Sequence, residues 1–434
     1  MEQLDLTAHW SGILALAVFV AAYLLVILEE ATDLRKSKPV MLAAGVIWLL
    51  IGVAYAGQEM SATAHQAAVD LIGVYGELFL FLLVAITYVN TLEERRAFEV
   101  LRAGLVGLGL GYRALFLLTG VLAFFLSSVL DNLTTALVMG AVVLALGRDN
   151  ARFAALSCIS IVVAANAGGA FSPFGDITTL MVWQKGKLEF FDFFALFLPA
   201  AVNWLVPAAI LYVAIPDQKP PVQTERARAK PGTTGVVVLF AATIATAVAF
   251  KNFLSLPPAL GMMLGMGYLQ MWSYWLQLTA RRKSDADMVL DSFEQMQRVE
   301  WDTLLFFFGI IFAVGGLGVL GYLDLASQGL YAGLGATWAN VIIGALSAII
   351  DNIPLMFAVL TMDPAMSDGQ WQLITLTCGV GGSMLSIGSA AGVALMGRAR
   401  GVYTFMTHLK WTWAVALGYI AAILTHLGLN AGAM

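Results

Sequence analysis

Charge is scarce in this sequence. Lysine, arginine, aspartate and glutamate make up only 12% of the 434 residues, whereas hydrophobic residues make up 60%. Soluble domains carry about 25% charged residues. Apolar runs of about 20 residues, the length needed to cross a hydrocarbon core of roughly 30 Å, recur along the chain. The composition argues against a soluble domain and predicts a polytopic membrane protein.

Cysteines and basic tracts are also scarce. The two cysteines, Cys158 and Cys378, lie inside apolar runs, which argues against a disulfide framework or a thiolate metal site. No basic patch or tail indicates a nucleic-acid partner. No nucleophile–base set or cluster of metal ligands occurs in the apolar runs or the loops. We therefore expect no enzyme and no bound cofactor.

Apolar segments without interruption predict simple transmembrane spans. These segments cover residues 11–28, 39–55, 71–89, 191–214, 235–250, 256–275, 304–320 and 402–427.

Two further apolar segments, residues 114–146 and 330–360, are too long for one span and too short for two spans and a loop. Each is interrupted by a polar stretch. The stretches are Asp131-Asn132-Leu133-Thr134-Thr135 and Asp351-Asn352-Ile353-Pro354. This pattern predicts two re-entrant helical hairpins, each of which enters the bilayer, turns near its middle and leaves on the same side.

Residues 153–183 and 373–397 each contain a Gly/Ser-rich stretch at the depth of the membrane. The stretches run from Asn166 to Asp176 and from Gly381 to Ser389. Glycine and proline permit unwound backbone, which survives at that depth only when it is buried in protein or lines a wet cavity. We therefore predict a broken helix in each segment.

The order of these elements repeats along the chain. Three spans, a hairpin, a broken helix and one further span fill residues 1–215 and recur in residues 235–434, with a cytoplasmic linker at residues 216–234. Because a hairpin does not cross, each half crosses an odd number of times, and the second half is inverted relative to the first. The predicted fold class is therefore an all-α membrane protein built from two inverted repeats.

The distribution of basic residues supports this topology. With both termini outside and the hairpins re-entrant, only Lys185, Lys187 and Lys251 of the 23 basic residues fall outside. Basic residues concentrate in cytoplasmic loops. If the hairpins crossed the membrane, the two sides would carry nearly equal numbers, so the charge pattern favours re-entrance.

Carboxylates within predicted spans are costly and usually mark a functional path. Asp131 and Asp351 fall at the hairpin tips and Asp176 at the far edge of the first break, while Glu77 and Asp302 are predicted at equivalent places in the third span of each half. No lysine or arginine falls at a comparable depth of the predicted topology. A permeant cation or a proton has to neutralise these acids, which favours a cationic substrate over an organic anion.

Hard cations prefer oxygen ligands. The tips and breaks supply Asp131, Asn132, Thr134, Thr135, Asn166, Ser172, Asp176, Thr178, Thr179, Asp351, Asn352, Ser386 and Ser389. Desolvation favours the protonated form of a carboxyl group, so one aspartate could hold a proton and release it when sodium arrives. We expect Asp131 and Asp351, helped by Asp176, to be these shared groups, with Asn132 and Asn352 as further Na⁺ ligands.

Simpler roles remain open for the same residues. The three aspartates could cap the helices that follow them, since aspartate is a favoured N-cap. Glu77 and Asp302 could lie beside solvent at the membrane interface. The serine and threonine hydroxyls could serve helix packing.

At these motifs the sequence resembles the NhaD-type sodium/proton antiporters of the ion transporter superfamily. The matching runs are residues 127–135, residues 166–179, Asp351-Asn352-Ile353-Pro354 and residues 381–397. Dicarboxylate carriers of that superfamily have Ser-Asn-Thr at the hairpin tips, where this chain has Asp-Asn.

The resemblance implies a multi-pass protein of the bacterial inner membrane that exchanges cytoplasmic Na⁺ or Li⁺ for external H⁺. It also implies a homodimer in which a transport domain slides against a fixed scaffold, formed by the spans in residues 1–90 and 235–320. By motif match, functional roles pass to Ser127, Asp131, Asn132, Asn166, Asp176, Thr178, Thr179, Ser347, Asp351, Asn352, Ser386 and Ser389, with Glu77 and Asp302 as candidates for a proton path.

Two other functions stay open. A sodium- or proton-coupled anion transporter of the same superfamily would need a basic or neutral tip, whereas the tips here are acidic. A cation channel fits paired broken helices less well than alternating access does.

Overall fold

The computed structural model describes residues 4–32, 34–58, 60–220 and 227–434. Within these residues the chain is helical and contains no strand, so the all-α prediction is confirmed there. Residues 221–226 of the predicted linker lie outside the described residues.

The described chain forms 21 α-helices. They are α1 (Trp10–Ile27), α2 (Glu29–Thr32), α3 (Ser37–Ala56), α4 (Ser61–Glu94), α5 (Ala97–Gly107), α6 (Tyr112–Ser127), α7 (Asn132–Leu146), α8 (Ala151–Gly169), α9 (Ile177–Gln184), α10 (Phe197–Ala214), α11 (Thr233–Leu254), α12 (Pro258–Lys283), α13 (Ser292–Gln297), α14 (Trp301–Val319), α15 (Tyr322–Ser327), α16 (Ala336–Leu346), α17 (Asn352–Met362), α18 (Asp368–Gly381), α19 (Ala390–Arg398), α20 (Phe405–Leu409) and α21 (Thr412–Leu429). Short 3₁₀ or π-helical turns cover Phe190–Leu196, Ala286–Met288, Gln328–Ala332 and Ala431–Ala433.

Eight helical segments among the described residues are long and apolar enough to cross a membrane, which makes the chain a multi-pass membrane protein. A ninth is added if the bent pair Tyr322–Ala332 and Ala336–Leu346 forms one broken span. The span predicted at residues 256–275 is the helix α12, which is long enough to cross but less apolar than the others. Each of the other seven segments predicted to be a simple span also contains a helix.

Several boundaries differ from those predicted. Helix α4 extends well beyond residues 71–89 at both ends. The last span begins at Thr412 rather than residue 402, because the chain breaks after the short helix α20. The segment before the second tip bends by 118° near Gly335, whose φ of +77° is the left-handed conformation that favours glycine. Such turns depend on local backbone geometry, which hydropathy does not report.

The first of two compact units comprises residues 1–83, 299–339 and 354–365. Its centre is the packing of α3 against α14. Gly309 lies so close to Val40 that a side chain there would overlap it. Polar groups also join these helices: Trp48 Nε1 donates to the carbonyl oxygen of Phe312 at 2.9 Å.

The second unit comprises residues 84–298, 340–353 and 366–434. Helix α8 lies at its centre, packed by α6, α7 and α10, and every residue of α8 from Phe153 onward is buried. Alanine, serine and glycine predominate on α8, and such small residues let neighbouring helices approach closely. In this unit the helices are interrupted at residues 128–131, 170–176, 347–351 and 382–389, and each interruption overlaps a predicted stretch. The bounds differ from the prediction, because residues 132–135, 166–169 and 352–354 lie in the helices α7, α8 and α17.

Candidate functional site

The two halves of the chain pack their breaks with the same contacts. A side chain on Gly168 would overlap the carbonyl oxygen of Phe124, and one on Gly381 would overlap that of Gly344. Gly381 follows Gly168 by 213 residues, and Gly344 follows Phe124 by 220 residues, so the two contacts lie at corresponding positions in the two halves. Both contacts depend on glycine because backbone lies directly against backbone.

Two predicted site serines make a matched pair of bonds at these crossings. Ser127 Oγ donates to the carbonyl oxygen of Ala165 at 2.5 Å, and Ser347 Oγ donates to that of Cys378 at 2.9 Å. Each hydroxyl thus links the end of the helix before a tip, α6 or α16, to the helix before a break, α8 or α18. In this arrangement Ser127 and Ser347 serve packing between helices.

Asp176 is the most enclosed of the predicted acids, with 4% of its surface exposed. It caps α9, where its Oδ1 accepts from the backbone N–H of Thr178 at 3.0 Å. Its Oδ2 accepts from Asn132 Nδ2 at 2.9 Å and from Asn352 Nδ2 at 3.1 Å. The asparagines of both tips therefore converge on one carboxylate oxygen.

Asn166 connects this carboxylate to the second break. Its Oδ1 accepts from Asn132 Nδ2 at 3.1 Å, and its Nδ2 donates to Ser383 Oγ and Ser389 Oγ, each at 3.1 Å. Side chains from two tips and two breaks thus form one hydrogen-bonded network. We call it the polar cluster, and its members are Asn132, Asn166, Asp176, Asn352, Ser383 and Ser389.

Asp131 and Asp351 lie beside the polar cluster and are half-buried. Asp131 caps α7, accepting from the backbone N–H of Thr134 at 2.8 Å and from its hydroxyl at 2.7 Å. Its φ of +24° is rare for a residue with a side chain and costs about 1–3 kcal/mol. Asp351 accepts from the N–H of Ile353 at 3.2 Å. Both carboxylates are close enough to Asp176 to repel its charge.

The remaining predicted hydroxyls have different surroundings. Thr179 Oγ1 donates to the carbonyl oxygens of Ser172 and Asp176 and so holds the first break. Ser386 Oγ lies 2.6 Å from the hydroxyl of Tyr403. Thr135 Oγ1 is buried and has no hydrogen-bond partner among the described residues. An unpaired buried hydroxyl is costly, so Thr135 has an oxygen free to bind a ligand.

Glu77 and Asp302 belong to the first unit, whereas the polar cluster belongs to the second. Glu77 lies half-buried in the middle of α4. Asp302 lies in the first turn of α14, and its Oδ1 accepts from Ser37 Oγ at 2.5 Å. Although both fall in the third span of a half, they sit at different positions along their helices.

Four residues in or around the polar cluster were not predicted from the sequence. Ser383 lies in the predicted Gly/Ser-rich break, so the sequence places it near the site. Its hydrogen bond to Asn166 could not be predicted from the sequence. Cys378 donates its thiol to the carbonyl oxygen of Asn352 at 3.2 Å. Tyr403 and His408 are buried and hydrogen-bonded to the second break. No sequence pattern marks these three.

The polar cluster holds one buried carboxyl group, that of Asp176, among neutral hydrogen-bond donors. The hydrogen-bond donors to Asp176 are two amides and one peptide N–H, and Asp131 and Asp351 add negative charge nearby. Such a carboxylate gains stability from a proton or from a small cation with oxygen ligands. Together with the helices long and apolar enough to cross a membrane, this cluster defines a multi-pass membrane protein with a buried polar site.

Comparisons with known proteins identify the family. The family described as citrate transporter (CitMHS) matches residues 23–379. The Na⁺/H⁺ antiporter NhaD of Alkalimonas amylolytica is 52% identical over 99% of this chain and 92% of that protein. The NhaD of Vibrio cholerae is 51% identical over 99% of this chain and 94% of its own length. Sodium/proton antiporter 1 of Arabidopsis thaliana is 32% identical over 95% of this chain and 72% of that protein.

The chain belongs to the NhaD-type sodium/proton antiporter family, as the sequence motifs predict.

Proposed function

We propose that this protein exchanges cytoplasmic Na⁺ or Li⁺ for external H⁺. The observation that carries the proposal is the buried Asp176, held by neutral donors beside two more carboxylates. The names of its relatives, sodium/proton antiporters from bacteria and a plant, agree with it.

Exchange follows if one group of carboxylates holds either ion but not both. With a cation bound, the carboxylates are ionised and act as ligands. Without it, the low-dielectric surroundings favour a proton on one of them. Since either occupant lowers the cost of the buried charge, the loaded forms can move and the bare form cannot. Proton and cation movements are thereby coupled.

The cation ligands we propose are oxygens from both tips. Asp131, Asn132, Asp351 and Asn352 supply carboxylate, amide or backbone oxygens, and the free hydroxyl of Thr135 supplies another. Na⁺ and Li⁺ are both hard cations, for which oxygen ligands are preferred. Asn166, Thr134, Thr178, Thr179, Ser386 and Ser389 position or complete this set. Glu77 and Asp302 remain proposed steps of a proton path.

The two halves are proposed to be inverted repeats with re-entrant hairpins. Support comes from the matched bonds of Ser127 and Ser347 and from the matched glycine contacts of Gly168 and Gly381. Inverted repeats whose breaks meet at one cluster suit alternating access, in which the site faces each side in turn. We further propose an elevator-like motion in a homodimer of the bacterial inner membrane, with both termini periplasmic.

A second candidate function is coupled transport of an organic anion, because the matching family is described as citrate transporter. A citrate site needs donors or cations that pair with several carboxylates. The tips here carry Asp131 and Asp351, which would repel such a substrate.

The test is ion exchange by the purified protein in proteoliposomes with a trapped pH indicator. With an imposed pH gradient, adding Na⁺ or Li⁺ should produce saturable proton flux, and adding choline chloride should produce none. Labelled citrate should not accumulate. Citrate uptake without sodium-dependent proton flux would show instead that the anion function is right, and cation flux that does not saturate would indicate a channel.

A further inference from the structure

Three buried side chains form a hydrogen-bonded chain behind the second break. Ser386 Oγ lies 2.6 Å from Tyr403 Oη, and Tyr403 Oη lies 2.8 Å from His408 Nδ1. His408 Nε2 lies 2.8 Å from the backbone carbonyl oxygen of Ser383. Ser386, Tyr403 and His408 are each at most 1% exposed. These bonds join Tyr403, just before α20, and His408, in the last turn of α20, to both ends of the segment from Ser383 to Ser386.

The direction of every bond follows from the carbonyl group at one end. A carbonyl oxygen only accepts, so His408 Nε2 carries the proton. Both ring partners of His408 are uncharged, and a fully buried imidazole without a carboxylate partner is neutral, so Nδ1 is an acceptor. Tyr403 therefore donates to His408, and its own oxygen accepts the hydroxyl proton of Ser386. The hydroxyl of Ser386 therefore uses its one proton in the hydrogen bond to Tyr403, and the lone pairs of its oxygen remain available.

The backbone at this place needs support. Ser386 has a φ of +66°, the left-handed region that a residue with a side chain enters at a cost of about 1–3 kcal/mol. The equivalent position in the first break, 213 residues earlier, is Pro173, which has no hydroxyl to orient. The chain of hydrogen bonds thus belongs to the second break alone.

We propose that Tyr403 and His408 are positioning residues that orient the Ser386 hydroxyl as a lone-pair donor to the transported cation and hold Ser383 against Asn166. The inference rests on the proposed function, since it assigns Ser386 to the cation. His408 Nε2 donates to the backbone carbonyl oxygen of Ser383, and the side-chain hydroxyl of Ser383 accepts from Asn166 Nδ2. Both ends of the segment are therefore held relative to the polar cluster.

The test is a double-mutant cycle on Na⁺ affinity, measured by calorimetry on the purified protein in detergent. We expect Tyr403→Phe and Ser386→Ala each to weaken Na⁺ binding about tenfold. In a Ser386→Ala background, Tyr403→Phe should cost less than about twofold, because residues that act through one another are not additive. His408→Gln keeps a donor and an acceptor and should retain more affinity than His408→Ala.

Tyr88→Phe is the matched control. Tyr88 is also buried, and its hydroxyl donates to the carbonyl oxygen of Gly265 and accepts from Thr243, away from the breaks. It should leave Na⁺ affinity unchanged. Unchanged affinity in Tyr403→Phe, or equal losses with and without the Ser386 hydroxyl, would overturn the proposal. Wild-type protein that binds Na⁺ but moves no protons would instead contradict the exchange function alone.

Discussion

Asp176→Asn should abolish sodium-driven proton flux while leaving the protein folded. The substitution removes the buried charge that a cation or proton neutralises, and losing one partner of such a buried interaction costs about 2–5 kcal/mol. We therefore expect Na⁺ affinity to fall at least about 30-fold. Because asparagine is as good an N-cap as aspartate, the start of α9 should persist. The measurement is initial flux in proteoliposomes, with thermal unfolding as the check on folding.

Asp291→Asn controls for the capping role. Asp291 caps α13 by accepting from the N–H groups of Phe293 and Glu294, and it is exposed. Its replacement makes the same chemical change at a cap outside the polar cluster, so flux should equal that of wild type. If Asp176→Asn also retained flux, Asp176 would be no more than a helix cap.

Gly168→Ala and Gly381→Ala should each prevent assembly of a break or lower the stability of the fold. Alanine in a helix normally stabilises relative to glycine by about 0.5–1 kcal/mol. Here each methyl group would overlap a backbone carbonyl oxygen, of Phe124 or of Gly344, which cannot rotate away. Overpacking of this kind costs about 1–3 kcal/mol. We expect a lower unfolding temperature in detergent and a lower yield of monodisperse protein.

Gly397→Ala is the control for these variants. Gly397 lies in α19, and a methyl group added there would meet open space, so the same substitution should leave the unfolding temperature equal or higher. Equal behaviour of all three alanine variants would mean that the breaks are not packed as described.

The breaks were predictable because they violate the pattern around them. Asp131-Asn132 and Asp351-Asn352 interrupt apolar runs too long for a single span, and the glycines near Asn166 and Ser383 interrupt two more. The structure places a helix end or start at each of them. Polar and glycine-rich interruptions of apolar runs therefore indicate where the backbone unwinds.

The partners within the site were not predictable from the same signals. No sequence pattern marks Tyr403 and His408, and their role depends on hydrogen bonds to a break about twenty residues earlier in the sequence. The bend at Gly335 likewise reflects one backbone conformation. Tertiary contacts of this kind leave no periodic trace in the sequence.

The two halves are alike in backbone packing but unlike in charge. Ser389 caps α19 as Asp176 caps α9, and Gly379 takes the place equivalent to Asn166. The buried carboxylate of Asp176 and the amide of Asn166 are thus supplied by the first half only, while the second half supplies hydroxyls to Asn166. We interpret this asymmetry as a single charged site held between two halves of the chain that have similar backbone packing.

Proton release on sodium binding tests the central claim most directly. Titrating the purified protein with NaCl in two buffers of different protonation enthalpy gives the number of protons released for each Na⁺ bound. If the carboxylates hold either ion, wild type should release protons as Na⁺ binds near neutral pH, and Asp176→Asn should release fewer or bind no Na⁺. Sodium binding with equal heat in both buffers would contradict the claim that cation and proton share these groups.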